Sequence, residues 1–274
     1  MVEPAEKAGM RNAWGRVPEA YTELWAEHTA PISGAALDLL DGASGPALDV
    51  GCGPGHTTAA LARRLDGGTA LGVDFSPAMV EHARRTWAGT PGVAFEVDDA
   101  ERLARPDAGF DVVAASYTLM YCYDATGALM EMARVVRPGG QLMLLVWGPA
   151  RDVWWSPSIE IVERRAAYYS AACPMMFFYG LPSVLPRMCA QAGLEITAEA
   201  VLDAPMRYAS AEDAVAASLI GGPLAGLYNN RLDEAMQREA WDLMRREVEA
   251  VAVPDGEGIA LPGSSVAVVA RKPG

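Results

Sequence analysis

Apolar residues recur along this chain in two different rhythms, and the change between them marks its organisation. Over residues 11–40, Trp14, Val17, Tyr21, Leu24, Trp25 and His28 fall at helical spacing. Pro18 and Pro31 are expected to divide that stretch into two or three short helices, and residues 42–46 read as a loop. Short apolar runs then alternate with amphipathic segments. ALDVG (47–51), TALGVDF (69–75), VAFEVDD (93–99), FDVVAASY (110–117) and QLMLLVW (141–147) read as five strands. Helices are expected over 56–65, from Ser76-Pro77 to Trp87, and after Asp124, with Ser76 and Asp124 as N-caps. Pro138-Gly139-Gly140 is expected to end the last of these.

This alternation predicts an α/β fold: a doubly wound, mostly parallel sheet with right-handed crossovers. Strands one, four and five are apolar throughout, which fits burial on both faces. Beyond Trp147 the alternation breaks. Aromatic residues crowd 150–180, a helix is expected near 183–192 closed by Gly193, and a strand-like stretch near 194–208. A helical block over 211–252 precedes a last strand at 264–272. The expected layout is an N-terminal helical cap (1–44), a ligand-binding core (45–148), and a remainder (149–274) that adds core elements and cap insertions to one domain.

Composition narrows the function. The chain has 274 residues, 51% hydrophobic and 21% charged, enough for one large globular unit. A formal charge of −13 without a Lys/Arg run argues against nucleic acid as partner, because phosphate binding depends on basic contacts. The four cysteines (Cys52, Cys122, Cys173, Cys189) are scattered and form no CxxC, so neither a zinc site nor a disulfide framework is expected. Free thiols, no signal-like opening and no long apolar run point to a cytoplasmic protein off the membrane.

The chemistry concentrates at LDVGCGPGH, which joins the first strand to the first helix. Gly51, Gly53 and Gly55 let backbone approach a ligand closely, outside the carboxyl ends of the strands. The following helix start favours a negative group. Asp74 ends strand two, where a carboxylate can accept from two ribose hydroxyls. A further acid ends strand three in VDDAERL. Asp98 and Asp99 point to opposite faces if both lie in the strand. His56 stands where the dinucleotide fingerprint wants its last glycine, which argues against a nicotinamide cofactor.

The ordered set ALDVGCGPGH, GVDFSPAMV, VDDAERL, FDVVAASYTLM and ARVVRPGGQLMLLVW resembles the class I S-adenosylmethionine-dependent methyltransferases. The resemblance is to their small-molecule branch, related to the ubiquinone and menaquinone methyltransferases, and covers about 45–148. It implies a seven-stranded Rossmann-like sheet with helical cap insertions, and S-adenosylmethionine as cofactor. By it, Asp49, Gly51, Cys52 and Gly53 surround the methionyl part, whose carboxylate meets the helix start, and Asp74 holds the ribose. Phe75 and Met79 pack near the adenine, Asp99 and the Ala100 N–H meet its edge, and Ser116 lines the sulfur end. Tyr21 on the leading helix closes over the methionyl end, with Trp25 and His56 as further contacts. The Asn/Asp-Pro-Pro-aromatic stretch of amino-methyltransferases acting on DNA and protein is replaced by SYTLMY.

The implied reaction is direct displacement of methyl onto a small acceptor, of the secondary-metabolite or quinone-like kind. Two other readings stay open: the same fold running a cyclisation or rearrangement, and methylation of a protein or RNA. Tyr117, Tyr121 and His28 are the candidates for orienting or deprotonating an acceptor, with Tyr123 beside them. No metal is expected.

Overall fold

The computed structural model describes residues 5–42, 44–65, 68–170, 172–203 and 205–274. Residues 1–4 and Ala43, in the expected N-terminal cap and its loop, and Ala204, in the expected strand 194–208, lie outside the described residues. Seven strands form one sheet: β1 (Ala47–Val50), β2 (Ala70–Asp74), β3 (Val93–Val97), β4 (Phe110–Ser116), β5 (Val136–Trp147), β6 (Glu195–Asp203) and, last in the chain, β10 (Ser264–Arg271). Their order is β3-β2-β1-β4-β5-β10-β6. Pairing is parallel from β3 to β5, and β10 runs antiparallel to both its neighbours. This is the doubly wound, mostly parallel architecture that the alternation predicts. The strand order reverses between β1 and β4, which opens a crevice at the carboxyl ends of those strands.

Local chemistry explains the elements around that crevice. α4 (His56–Arg64) starts directly after the glycine turn and buries Thr57, Thr58, Ala59, Ala60 and Leu61. α5 (Pro77–Thr86) has Pro77 in its first turn and is capped by Ser76, whose Oγ accepts from the Met79 N–H. α6 (Ala125–Val135) is capped by Asp124, which accepts from the Gly127 N–H. β4 and β5 are almost wholly buried, as strands covered on both faces must be.

Four expectations need correction. β3 stops at Val97, so Asp98 and Asp99 lie in the following loop and not on opposite strand faces. β5 begins at Val136, and Pro138-Gly139-Gly140 lies within it as a break in register against β4; the helix before it ends at Val135. Pro31 divides nothing. Helix α1 (Ala5–Trp14) is followed by one continuous helical rod, made of α2 (Pro18–Tyr21), a π-helical turn (Thr22–Ala26) and α3 (Glu27–Leu37), which contains Pro31. The wide turn lies immediately upstream of Glu27, the residue whose carbonyl the Pro31 ring would otherwise crowd. Lastly, the stretch near 194–208 divides into β6 and β7 (Met206–Tyr208), which belong to different sheets.

The remaining helices are α7 (Ser156–Ala166), α8 (Ala172–Phe178), α9 (Val184–Gln191), α10 (Ala211–Ser218), α11 (Gly222–Arg231) and α12 (Glu234–Val251). β7 pairs in a small antiparallel sheet with β9 (Gly258–Leu261), which also pairs β8 (Val253–Asp255). That sheet goes unforeseen in the sequence because its strands are only three or four residues long. One apolar core runs from Trp25 and Leu37 through the sheet to Leu224 and Met244. The N-terminal rod and the C-terminal helices therefore pack onto the same body.

Candidate functional site

A cavity of about 470 Å³ lies over the carboxyl ends of β1 to β4. Its floor is the glycine turn and its roof is the N-terminal helices with α8 and α11. Gly51, with φ +71°, would put a Cβ 2.3 Å from the Thr118 side chain; Gly55, with φ +89°, would put one 2.6 Å from the Phe95 ring. Only glycine allows the turn to close this tightly. Thr118 seals it from the other side: its hydroxyl donates to the Val50 carbonyl at 2.9 Å, binding the tip of β4 to the tip of β1.

Asp74 stands at the end of β2 with both oxygens engaged. The Gly53 N–H donates to one at 3.0 Å and the Ser76 N–H to the other at 2.8 Å. Burial raises its pKa to about 6 despite those bonds. Asp49 lies one layer lower, outside the cavity wall. One of its oxygens accepts from Thr58 Oγ1 at 2.6 Å and the other is buried without a partner. Burial raises its pKa to about 7.

The two acids after β3 are separated by their partners. Asp98 is spent on its own loop, accepting from the Asp99 and Ala104 N–H groups and from Arg105 Nε. Asp99 faces the first helix, where Lys7 Nζ sits 2.7 Å from one of its oxygens and 2.9 Å from Glu101. Burial pulls the Lys7 pKa down, but these two carboxylates outweigh it and the net shift is upward. Both acids touch the cavity, with Ala100 and Glu101.

Of the residues the resemblance implies for cofactor binding, the structure brings Tyr21, Gly51, Cys52, Gly53 and Asp74 to this one wall. Phe75, Met79, Asp99, Ala100 and Ser116 line it as well, and His56 joins them. Asp49 does not. Trp25 also stays behind the wall, its indole N–H donating to the Ala217 carbonyl. Ser116 is held by Ser33 of α3 at 2.8 Å, which fixes the rod to the tip of β4.

The candidate proton-transfer groups fare differently. His28 is absent from the lining and packs instead on Tyr208, ring centroids 4.7 Å apart. Tyr117 reaches the cavity, but its hydroxyl is buried and shares a hydrogen bond of 2.7 Å with Ser265 Oγ. Burial drives its pKa far above the ordinary phenol range. Tyr121 and Tyr123 line the cavity, and burial lifts Tyr121 well above 10. Neither Tyr117 nor Tyr121 is therefore a ready base at neutral pH. His56, whose pKa burial lowers, is set against Trp87 at 5.5 Å.

Sequence reasoning missed the roof. Lys7, Met10 and Trp14 from α1, Thr29 and Ser33 from α3, Met175 and Tyr179 from the α8 region and Pro223 from α11 all line the cavity. Trp14 is the central piece. Its ring meets Tyr21 and Tyr121 edge-on, at 5.1 and 5.0 Å. The Trp14–Tyr21 helical spacing was visible, but nothing local tied either residue to Tyr121 or Pro223. Among the described residues, no group of acidic, His or Cys side chains is arranged to hold a metal. No described helix is long and apolar enough to cross a membrane.

These observations fit an adenosyl sulfonium ligand. The glycine cradle would be filled by any Cβ at position 51, the Asp74 carboxylate stands at its rim, and four acids (Asp74, Asp98, Asp99, Glu101) face the cavity against one lysine. That field suits a ligand of net positive charge.

Comparison with known proteins agrees. Residues 47–140 match the family model described as a methyltransferase domain. A trans-aconitate 2-methyltransferase of Acidovorax sp. (strain JS42) is 32% identical over 181 residues, 58% of this chain and 67% of the relative. The ubiquinone/menaquinone biosynthesis C-methyltransferase UbiE of Desulfotalea psychrophila is 33% identical over 150 residues, 55% of this chain and 54% of the relative. For several curated relatives the chain spans about half of their length. Among solved structures, a Bacillus halodurans protein assigned as a methyltransferase superposes with a TM-score of 0.61 at 19% identity, covering 88% of this chain and 99% of its own.

Proposed function

The chain belongs to the class I S-adenosylmethionine-dependent methyltransferases, and we propose that it methylates a small, largely apolar acceptor of the secondary-metabolite or quinone-like kind. One observation carries this reading: a single cavity joins the glycine-and-carboxylate cradle to an uncharged region walled by Trp14, Tyr21, Tyr121, Met175 and Pro223. A cavity of this size with few polar groups is typical of small-molecule sites. The four cysteines are free, which suits the reducing cytoplasm.

When bound, the cofactor supplies an activated methyl group on a positively charged sulfur. Asp74 would accept from the ribose hydroxyls, and Asp99 from the adenine amino group in competition with Lys7. Phe75 and Met79 would pack on the base, and the N–H groups of the Gly51–Gly53 turn would face the methionyl end, with Tyr21 and Ser116 near the sulfur. The protein's share of catalysis is then alignment and exclusion of water; alignment alone can contribute about 7–11 kcal/mol. The aromatic end holds the acceptor, with Tyr121 as a neutral phenol that can donate a hydrogen bond. The aromatic end itself carries phenols and no carboxylate or imidazole, which favours an acceptor that loses its proton easily, as a phenol, hydroquinone or enolic carbon does.

The test is incubation with S-adenosylmethionine labelled in its methyl group and a panel of phenols, hydroquinones and enolisable diketones. The label is expected on an acceptor. Label that stays on the donor while an acceptor is otherwise rearranged, or that reaches only protein or RNA, would overturn the reading.

A further inference from the structure

Three phenols on the wall of the main cavity have hydroxyls to spare: Tyr21, Tyr121 and Tyr179. Among the described residues, none of the three oxygens makes a hydrogen bond, and none belongs with the partnerless polar atoms that are sealed from solvent, as Tyr208 Oη is. Each therefore keeps accessible surface on a residue that lines the cavity. Other phenols are spent within the protein. Tyr117 shares a hydrogen bond of 2.7 Å with Ser265, and Tyr228 donates to the Gln237 carbonyl at 3.0 Å. A phenol inside a protein ordinarily finds a partner, so an open, unpaired one calls for a ligand.

Two of the three belong together. Tyr21 and Tyr121 stand edge-on to the same Trp14 ring, at 5.1 and 5.0 Å. Their oxygens are near enough that charge on Tyr21 disfavours charge on Tyr121. Burial, and then the Asp74 carboxylate, push Tyr21 up to about 12; burial lifts Tyr121 well above 10. Both stay protonated at neutral pH and stay donors. Tyr179 instead stands in the field of Cys122 and Asp124, toward the start of α6.

A neutral donor bonds a charged oxygen about twice as strongly as a neutral one. Two such donors side by side are thus a better match for an oxyanion than for a hydroxyl. An anion here also needs a cation. Lys7, the single lysine of the lining, is committed to Asp99 and Glu101, and Asp74 near Tyr21 opposes negative charge. The positive sulfur of the cofactor, which would lie beside Tyr21, is the charge left to balance it.

We propose that Tyr21 and Tyr121 form a two-donor clamp for an oxyanion: the methyl acceptor is held as its phenolate or enolate, with the charged oxygen between the two hydroxyls, once the cofactor has brought its positive charge. The proposal rests on the reading of the cavity as a methyl-transfer site and adds the protonation state in which the acceptor is recognised. The acceptor's proton is left in bulk water, so no wall group has to take it. Tyr21 and Tyr121 then select for acceptors of low pKa.

The test uses the full chain saturated with sinefungin, which carries an ammonium where S-adenosylmethionine has its sulfonium, or with S-adenosylhomocysteine, which has a neutral thioether there. The probe is 4-nitrophenol, whose phenolate is yellow and whose neutral form is not, so absorbance reads its charge directly. In the sinefungin complex the bound probe is expected to titrate about one pH unit below its free value, a tenfold preference for the anion. In the S-adenosylhomocysteine complex the shift should be smaller. Tyr21→Phe and Tyr121→Phe keep the rings and remove one donor each. Each should weaken phenolate binding about tenfold and change the affinity for nitrobenzene, which has no acidic oxygen, by less than about twofold. Tyr179→Phe should leave both affinities unchanged. A bound probe that titrates at or above its free value in the wild-type complex, or no bound phenolate at all, would overturn the proposal. So would phenolate affinity that survives both Tyr21→Phe and Tyr121→Phe, or that falls as far in Tyr179→Phe. Failure of the wild-type protein to bind either cofactor analogue would instead strike the methyltransferase reading itself.

Discussion

At the Gly51–Asp74 end of the cavity the walls are backbone and carboxylate; at the Trp14–Tyr121 end they are aromatic rings and thioethers. The first end is drawn from the tips of adjacent strands, and its geometry is set by hydrogen bonds such as Gly53 to Asp74 and Thr118 to Val50. The second is drawn from helices that meet only in the folded chain, and its geometry is set by ring packing. The difference separates two tasks. A fixed cofactor can be gripped by backbone, which varies little when side chains change. An acceptor that differs between relatives is better held by side chains, which can be exchanged without disturbing the sheet.

That division can be attacked at graded cost. The largest effect should come from Gly51→Val. Its Cβ meets Thr118 at 2.3 Å from a left-handed backbone, so destabilisation of roughly 2–5 kcal/mol is expected. Thermal denaturation checks this, and a stable variant with full cofactor affinity would show that the cradle is not closed as described. Next is Asp74→Ala, which should weaken S-adenosylhomocysteine by about 1–3 kcal/mol, while Tyr121→Ala leaves that affinity within about twofold and removes acceptor binding. Paired titrations of the two variants decide whether the ends are independent.

The pH dependence is more modest. Asp74 titrates near 6 in the free protein, and donation from ribose hydroxyls favours its charged form. Binding should therefore lower its pKa, release protons around and below pH 6, and weaken as pH falls through that range. Titration in buffers of different ionisation enthalpy measures the release, which Asp74→Asn should abolish. Smallest is Lys7→Met. It frees Asp99 from a part-exposed ion pair, worth up to about 1 kcal/mol, so cofactor affinity should rise a few-fold at low salt and converge with wild type at high salt.

The same division explains what could be read from the amino-acid sequence. Gly51, Gly53 and Asp74 are legible because a strand, a tight turn and the next strand follow one another within a short stretch, and each tip inherits its place from the sheet. Ser76 and Asp124 are legible as caps for the same local reason. Asp49 lies just as near in sequence, yet its strand turns it beneath the floor, toward Thr58. Asp98 and Asp99 are told apart physically by Arg105 and Lys7, which take one each. The aromatic end was opaque. Trp14, Tyr121 and Pro223 come from distant segments, and no periodicity records that they meet. His28 failed as a base candidate because helical spacing gives a face but not what the face looks upon.

The π-helical turn at Thr22–Ala26 has a mechanical meaning for that opaque end. Tyr21 stands before it, Thr29 and Ser33 after it, and all three reach the cavity. A π turn holds one residue more than an α turn, so it takes up an extra residue locally while the segments on either side keep their facing. Ser33 thereby keeps its grip on Ser116 below the turn while Tyr21 keeps its edge-on contact with Trp14 above it. That extra residue thus works as an angular shim between the glycine-and-carboxylate end of the cavity and its aromatic end.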